Sequence, residues 1–415
     1  MIAILIGFLL VIGFLAGCGG GNHSATDKFR GSTDGSWTVL VYLNADNDLE
    51  PYGILNMNQM ETVGSTDKLK IVVQMDRHPN YSSADGNWTG CKRFLVTKDT
   101  QNSEVTVSGP INSTVLEDMG EVDMGNPNTL RDFIRWGQTN YPADNYCLVI
   151  WNHGSGWRSA KTFAMTTVPR NVSFDDTSGT SINTADLPSG LAGSPEPINL
   201  IAMDASLMQM VEVAYELRNS APLLVASEES PPGDGYPYDK WLIKLAANTG
   251  MSARELGTVI AQEYVNWYAS PSHEYPVTQS LIDLSQIRGV AEATDDLAAA
   301  MLPHLATDAD AIRNARQNAQ SYAFSFYKDL QDYASLINQT IPDPAISAAY
   351  NKLKTAMSSA VLFEAHAGSD MARSHGLSLY VPAPGEYTEY MIRYKNLSFT
   401  KDFPNWAEVI TGQKQ

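Results

Sequence analysis

Two stretches of this chain constrain its fold more than any others: Cys147-Leu-Val-Ile-Trp-Asn-His153-Gly-Ser-Gly-Trp157 and Ile198-Asn-Leu-Ile-Ala-Met-Asp204-Ala-Ser206-Leu-Met208. Each is an apolar run of strand length that stops abruptly, the first at a histidine followed by glycine, the second at Asp-Ala-Ser before a helical pattern. Runs apolar on both faces belong to buried, parallel strands. In an open α/β sheet the crevice outside the carboxyl ends of such strands is where ligands sit. An imidazole and a hydroxyl at two neighbouring strand ends are therefore the best candidate site in the chain.

The surrounding pattern supplies the rest of an α/β fold. Residues 37–43 and 69–75 read as strands and 52–62 as a helix between them, a βαβ unit that calls for a parallel pair. Residues 91–96 and 105–107 read as a strand pair at the sheet margin. A helix is expected around 130–136, capped by the 126–128 turn, and a buried strand at 221–226 runs into Glu228 and Glu229. Helices follow at 207–217, 238–245 and 253–270. The polar stretch 158–197 reads as an exposed, cleavable loop with a short helix near 184–191. After residue 278 come a short strand at 280–284, Ala-rich helices at 287–302, 309–323 and 345–363, a late strand at 376–381 and a tail helix at 386–395. The expected division is a signal at 1–17, a flexible tether at 18–36, a main domain at 37–277 and a mostly helical region at 278–415 that returns a strand.

Residues 2–16 are almost wholly apolar, and no charge occurs before Asp27. The run is too short for a comfortable membrane span. With Leu15-Ala16-Gly17-Cys18 at its end it resembles a bacterial lipoprotein signal, which would lipidate Cys18 and anchor an exported protein at the cell envelope. The usual Lys or Arg before the apolar part is missing. A formal net charge of -18 opposes binding to nucleic acid or an anionic membrane surface and favours basic partners. The aromatic residues form no stacking platform either. Cys91 and Cys147 are a possible disulfide outside the cytoplasm, or simply buried thiols.

The chemistry open to the two strand ends is nucleophile and base: His153 takes the proton as Ser206 attacks a carbonyl. Backbone amides from His153 through Gly154 to Gly156 are candidates for stabilising an oxyanion. Asp204, two residues before Ser206, shares its face along an extended strand and suits a Lys or Arg side chain. The plainer reading makes Asp204 or Ser206 a helix N-cap. Asp46, Asp48 and Glu50 form an acidic turn without the spacing of a twelve-residue calcium loop. Glu228 and Glu229 either bind a ligand or fix the next loop, and His366 and His375 show no zinc pattern.

These blocks, with residues 37–50, Val225-Ala-Ser-Glu-Glu229, Pro232-Gly-Asp-Gly-Tyr236 and 376–382, resemble the clostripain (C11-type) family of cysteine endopeptidases. The resemblance implies a caspase-like fold: a mostly parallel sheet flanked by helices, with a largely helical C-terminal addition. It implies that His153 is the base and that Asp204 and Asp234 form a pocket for basic side chains. It further implies cleavage after Arg or Lys of peptide or protein substrates, often with calcium, and activation by cuts in the loop that here holds Arg158, Lys161 and Arg170.

The departure is Ser206, which stands where the family has its cysteine. A thiol ionises near pH 8.5, whereas a hydroxyl is far less acidic and needs a strongly coupled base. Asn152 beside His153 supplies no carboxylate to orient it, a group whose loss costs serine peptidases about four orders of magnitude. The expectation is an inactive or very weak peptidase homologue that retains its cleft for basic side chains. The alternatives are an active endopeptidase using Ser206 and His153, or a non-catalytic surface-binding lipoprotein.

Overall fold

A sheet of nine strands is built around the two stretches singled out above. The computed structural model describes residues 35–101, 103–157, 171–387 and 390–413. The expected signal, Cys18, the tether up to residue 34, and Arg158, Lys161 and Arg170 lie outside the described residues.

The strands in chain order are β1 (Trp37–Ala45), β2 (Leu69–Arg77), β3 (Gly90–Leu95), β4 (Thr114–Gly120), β5 (Asn145–Trp151), β6 (Val172–Asp175), β7 (Thr180–Ile182), β8 (Leu200–Asp204), β9 (Leu223–Ala226), β10 (Val277–Asp283), β11 (Tyr327–Asp329), β12 (Val361–Ala367) and β13 (Ser378–Tyr380). The main sheet runs β12-β10-β9-β8-β5-β1-β2-β3-β4. Its centre, β9-β8-β5-β1-β2, is parallel. Both margins are antiparallel, so the sheet is mixed.

The central strands are apolar throughout because helices cover both faces. Along β1 and β5, Leu40, Tyr42, Leu148 and Ile150 enter one hydrophobic core, while Val39, Val41, Cys147 and Val149 enter the other. That alternation is the two-residue period of a strand divided between two layers. The first core takes Leu130, Phe133 and Ile134 from helix Pro127–Asn140; the second takes Ile54, Met57 and Met60 from helix Glu50–Glu61. Asn126 caps helix Pro127–Asn140 by accepting from Asn128 N–H, as its position before the proline suggests.

Several expectations are corrected. The margin strand paired with β3 is β4 at 114–120, not 105–107. Cys91 and Cys147 are free, lie on non-adjacent strands and enter opposite cores, which rules out a bond between them as placed. The 158–197 stretch is not simply an exposed loop: Val172, Phe174, Ile182 and Leu187 are buried, and β6 and β7 pair as a hairpin over the end of β5. The helix expected from 207 starts at Val211. The helix expected to reach 363 ends at Ala360, and Val361 opens β12, which pairs with β10. The late strand β13 pairs with β11 and bridges to Met210, outside the main sheet. No described helix is long and apolar enough to cross a membrane.

Candidate functional site

Four adjacent parallel strands point their carboxyl ends at one place. The sheet register sets Leu43 beside Trp151 and Trp151 beside Asp204, so the turns after β1, β5 and β8 meet. β9 adds Ser227 to Ser230. The cleft between them is lined by Leu49, Trp151, Asn152, His153, Asp204, Ser206 and Ser230, with Pro231, Pro232, Gly233 and Gly235 as its rim. About 490 Å³ of free space lies within it, counting the open mouth. His153 and Ser206 thus share one cavity, as neighbouring strand ends require.

His153 does have a carboxylate partner, contrary to the sequence reading. Its Nε2 lies 2.6 Å from Asp48 Oδ1, on the turn that follows β1. A carboxylate only accepts, so this bond places a proton on Nε2 and leaves Nδ1 as the basic nitrogen of the neutral ring. Phe174 of β6 meets the ring edge-on, with centroids 5.6 Å apart. Asn152 fixes that strand: its amide donates to Asn44 O and Phe174 O, and its Oδ1 accepts from Phe174 N–H. Asn152 therefore acts on His153 through β6. Neither Asp48 nor Phe174 adjoins His153 in sequence; the pairing of β1 with β5 brings Asp48 there, and the sequence pattern did not signal it.

Gly154 packs on the backbone of Ser206. A Cβ at Gly154 would stand 2.2 Å from Ser206 O, so only glycine fits. Ser206 itself turns off the strand, and Leu207 follows at φ 65°, a left-handed conformation strained for a leucine. Leu207 N–H donates to Glu229 O, which ties this turn to the end of β9. Ser206 Oγ lies 2.9 Å from Ser230 Oγ, and no hydrogen bond joins Ser206 to His153. Of the candidate oxyanion amides, Ser155 N–H is committed to Asn171 O.

Asp204 is buried at the cleft wall. Its Oδ2 accepts from Tyr236 N–H at 3.1 Å and Tyr238 O–H at 3.0 Å. Burial nevertheless pushes its carboxyl up to about 7, with those two donors opposing the shift. Gly235, at φ 62°, lies directly on this carboxylate; a Cβ there would come within 2.7 Å of Oδ2. Asp234 stands next to it, but its main-chain carbonyl accepts from Asn56, and its side chain is not among those lining the cleft. Glu228 and Glu229 fix loops: Glu228 accepts from Gly376 N–H, and Glu229 from Ser230 and Ala323 N–H.

The acidic turn divides among three tasks. Asp48 meets His153, and Glu50 forms a fully buried ion pair with Arg77 at 2.6 Å. Asp46 joins Glu121 and Asp175 in a mostly buried acidic triad whose oxygens lie within 4.8 Å of one another, able to chelate a divalent ion. Burial and mutual repulsion raise Glu121 to about 7 and, with backbone donors opposing, burial raises Asp175 to about 6. Neighbouring Asp76 is pushed to about 9 by burial and by these three carboxylates. Asp46 Oδ2 and Asp76 Oδ2 are buried with no hydrogen-bond partner. The three carboxylates of the triad are hard oxygen donors, and one of them, Asp46, has an orphaned oxygen, which suits a divalent ion.

The clostripain family model matches residues 41–412. Clostripain of Hathewaya histolytica is 26% identical over 309 residues, 66% of this chain; the match spans 58% of that relative's length. Among solved structures, an inactive zymogen C11 protease from Parabacteroides distasonis aligns at TM-score 0.65 and 23% identity, over 90% of this chain and 99% of its own. A secreted C11 cysteine protease from Bacteroides thetaiotaomicron, in complex with an irreversible peptide inhibitor, aligns at 0.64 and 23%, over 88% and 98%. These two likenesses establish the fold: a caspase-like α/β sheet flanked by helices, with a C-terminal helical extension.

Proposed function

The chain belongs to the clostripain family, and from that premise we propose that it binds basic side chains of peptides in the His153–Ser206 cleft and turns them over very slowly or not at all. The observation that carries this reading is Asp204, a carboxylate held in the cleft wall beside the nucleophile position and burdened by burial. A guanidinium or ammonium entering the cleft supplies the counter-charge that burial denies it. Asp234, the second acid that the resemblance implies, stands beside this wall without lining the cleft, so the reading rests on Asp204. Ser206 occupies the position of the family's cysteine; its hydroxyl is a poor attacker, and the site was shaped for a longer C–S bond.

Calcium is the proposed cation of the Asp46, Glu121 and Asp175 cluster. Bound there, it would supply positive charge that neutralises the cluster and holds the turn after β1 against β6. Export with a lipid anchor at Cys18 is part of the same reading and agrees with the description of the Bacteroides thetaiotaomicron relative as secreted. The partners are then peptides or proteins with accessible Arg or Lys outside the cytoplasm.

Ser206→Cys, assayed beside the unaltered chain on a reporter peptide with Arg or Lys before the scissile bond, tests the proposal. Peptidase activity is expected in the substituted protein, at least about a hundredfold above the parent. Equal, His153-dependent turnover by both would refute the crippled nucleophile. Silence in both, with no binding of the basic peptide, would refute the cleft assignment itself.

A further inference from the structure

We propose that Asp48 is the positioning residue for His153, fixing the tautomer and orientation of its ring within the cleft that holds position 206. The inference rests on His153 being the base. The Asp48 contact fixes the proton on Nε2, which leaves Nδ1 as the ring nitrogen able to accept a proton from the group at position 206. In the step so arranged, the Oγ–C bond to the peptide carbonyl forms as the hydroxyl proton passes to Nδ1. The same proton then goes to the departing amine as the C–N bond breaks, and water repeats the sequence on the acyl ester. The imidazolium formed between the two transfers faces the Asp48 carboxylate.

A surface ion pair is the plain alternative, since the Asp48 side chain is 64% exposed. Two observations favour positioning. Asp48 does not hang from a loose turn: the buried neighbour Asn47 donates to Asn44 O and Phe174 O, and its Oδ1 accepts from Leu49 N–H. The far side of the ring is also fixed, because Phe174 is bound to Asn152, the residue preceding His153. The imidazole is therefore held from β1, β5 and β6 at once. Its exposure limits what the charge contributes, so Asp48 sets the tautomer and ring orientation more than it stabilises the cation.

The test uses Asp48→Ala and Asp48→Asn. Nitrogen-15 spectra of histidine-labelled protein read the tautomer without requiring activity; the chain has seven histidines, and His153→Gln identifies the signal. The neutral ring should carry its proton on Nε2 in the parent and in Asp48→Asn, whose side-chain oxygen still accepts, and should become a mixture of tautomers in Asp48→Ala. In the Ser206→Cys background, Asp48→Ala should lower kcat about tenfold with KM within about twofold, and Asp48→Asn should recover part of the loss. An unchanged tautomer in Asp48→Ala overturns the inference, as does a changed tautomer with kcat intact. Should Ser206→Cys show no activity, the peptidase reading fails on its own, and the tautomer alone decides the role of Asp48.

Discussion

Asp204 and Gly154 show how single positions set what the cleft can do. With its carboxyl pushed up to about 7, Asp204 is protonated in part of the population at neutral pH and offers no charge there. Binding of an Arg- or Lys-containing peptide should strengthen from pH 6 to pH 8, and Asp204→Asn should weaken it about tenfold and flatten that dependence. Calorimetric titration at the two pH values checks this; equal affinities would remove Asp204 from the pocket. The stability sign is opposite: a raised acid favours the fold below its unfolded value near 3.8, and that contribution is lost as pH rises through about 7. At Gly154 the constraint is steric. Gly154→Ala must displace the Ser206 carbonyl and should cost about 1–3 kcal/mol in urea unfolding. A neutral effect would mean that the two turns are not packed as described.

Elements were legible wherever a local period decided them. The strands β1, β2, β5, β8 and β9 were read from largely apolar runs, and helix Ala253–Tyr268 was expected at 253–270. Boundaries failed where a distant partner took over. Val361-Leu-Phe363 continues an Ala-rich helix in pattern, yet it becomes strand because β10 offers an unpaired edge. The same dependence on distant groups appears at His304, between helices Ala309–Asn318 and Pro344–Ala360. Its Nδ1 and Nε2 meet Asp308 at 2.8 Å and Asp343 at 2.9 Å, and Asp343 also caps the second helix by accepting from Ala345 N–H. Asp308 first and Asp343 second hold His304 above its ordinary value; Thr307 first and the imidazole second hold Asp308 below its own, and Ala345 N–H first and the imidazole second hold Asp343 below its own. The histidine's contribution is full below about pH 6.5 and lost as pH rises through its raised value; the acids' contribution is full above about pH 4 and lost on acidification. His304→Ala should therefore lower Tm more at pH 5.5 than at pH 8.5, and an equal loss at both would sink the charged-staple account.

For the whole molecule, the acidic cluster at the ends of β1, β4 and β6 is a cost that a cation removes. Asp46, Glu121 and Asp175 come there from three segments distant in sequence; the Glu121 and Asp175 carboxyls are raised and one Asp46 oxygen is orphaned. Calcium at a hundredfold excess over its Kd should stabilise the fold by about 2.7 kcal/mol, seen as a higher Tm than in chelator. Asp175→Asn should abolish most of that response. A Tm indifferent to calcium, magnesium and chelator would refute the site.

The amino-acid order alone determined the α/β class, the existence of the five strands that form the centre and the placement of His153, Asp204 and Ser206 at strand ends, because burial on both faces and strand length are written locally. It also exhibited the serine on which the proposed loss of turnover rests. Only the tertiary structure decided what each of those groups touches. Asp48 reaches His153 because β1 lies beside β5, β6 folds back over the strand end, and Asp46 meets Glu121 and Asp175 from three separate segments. Hydrogen bonds and charge pairs act over a few ångströms in space, and separation along the chain carries no record of that distance.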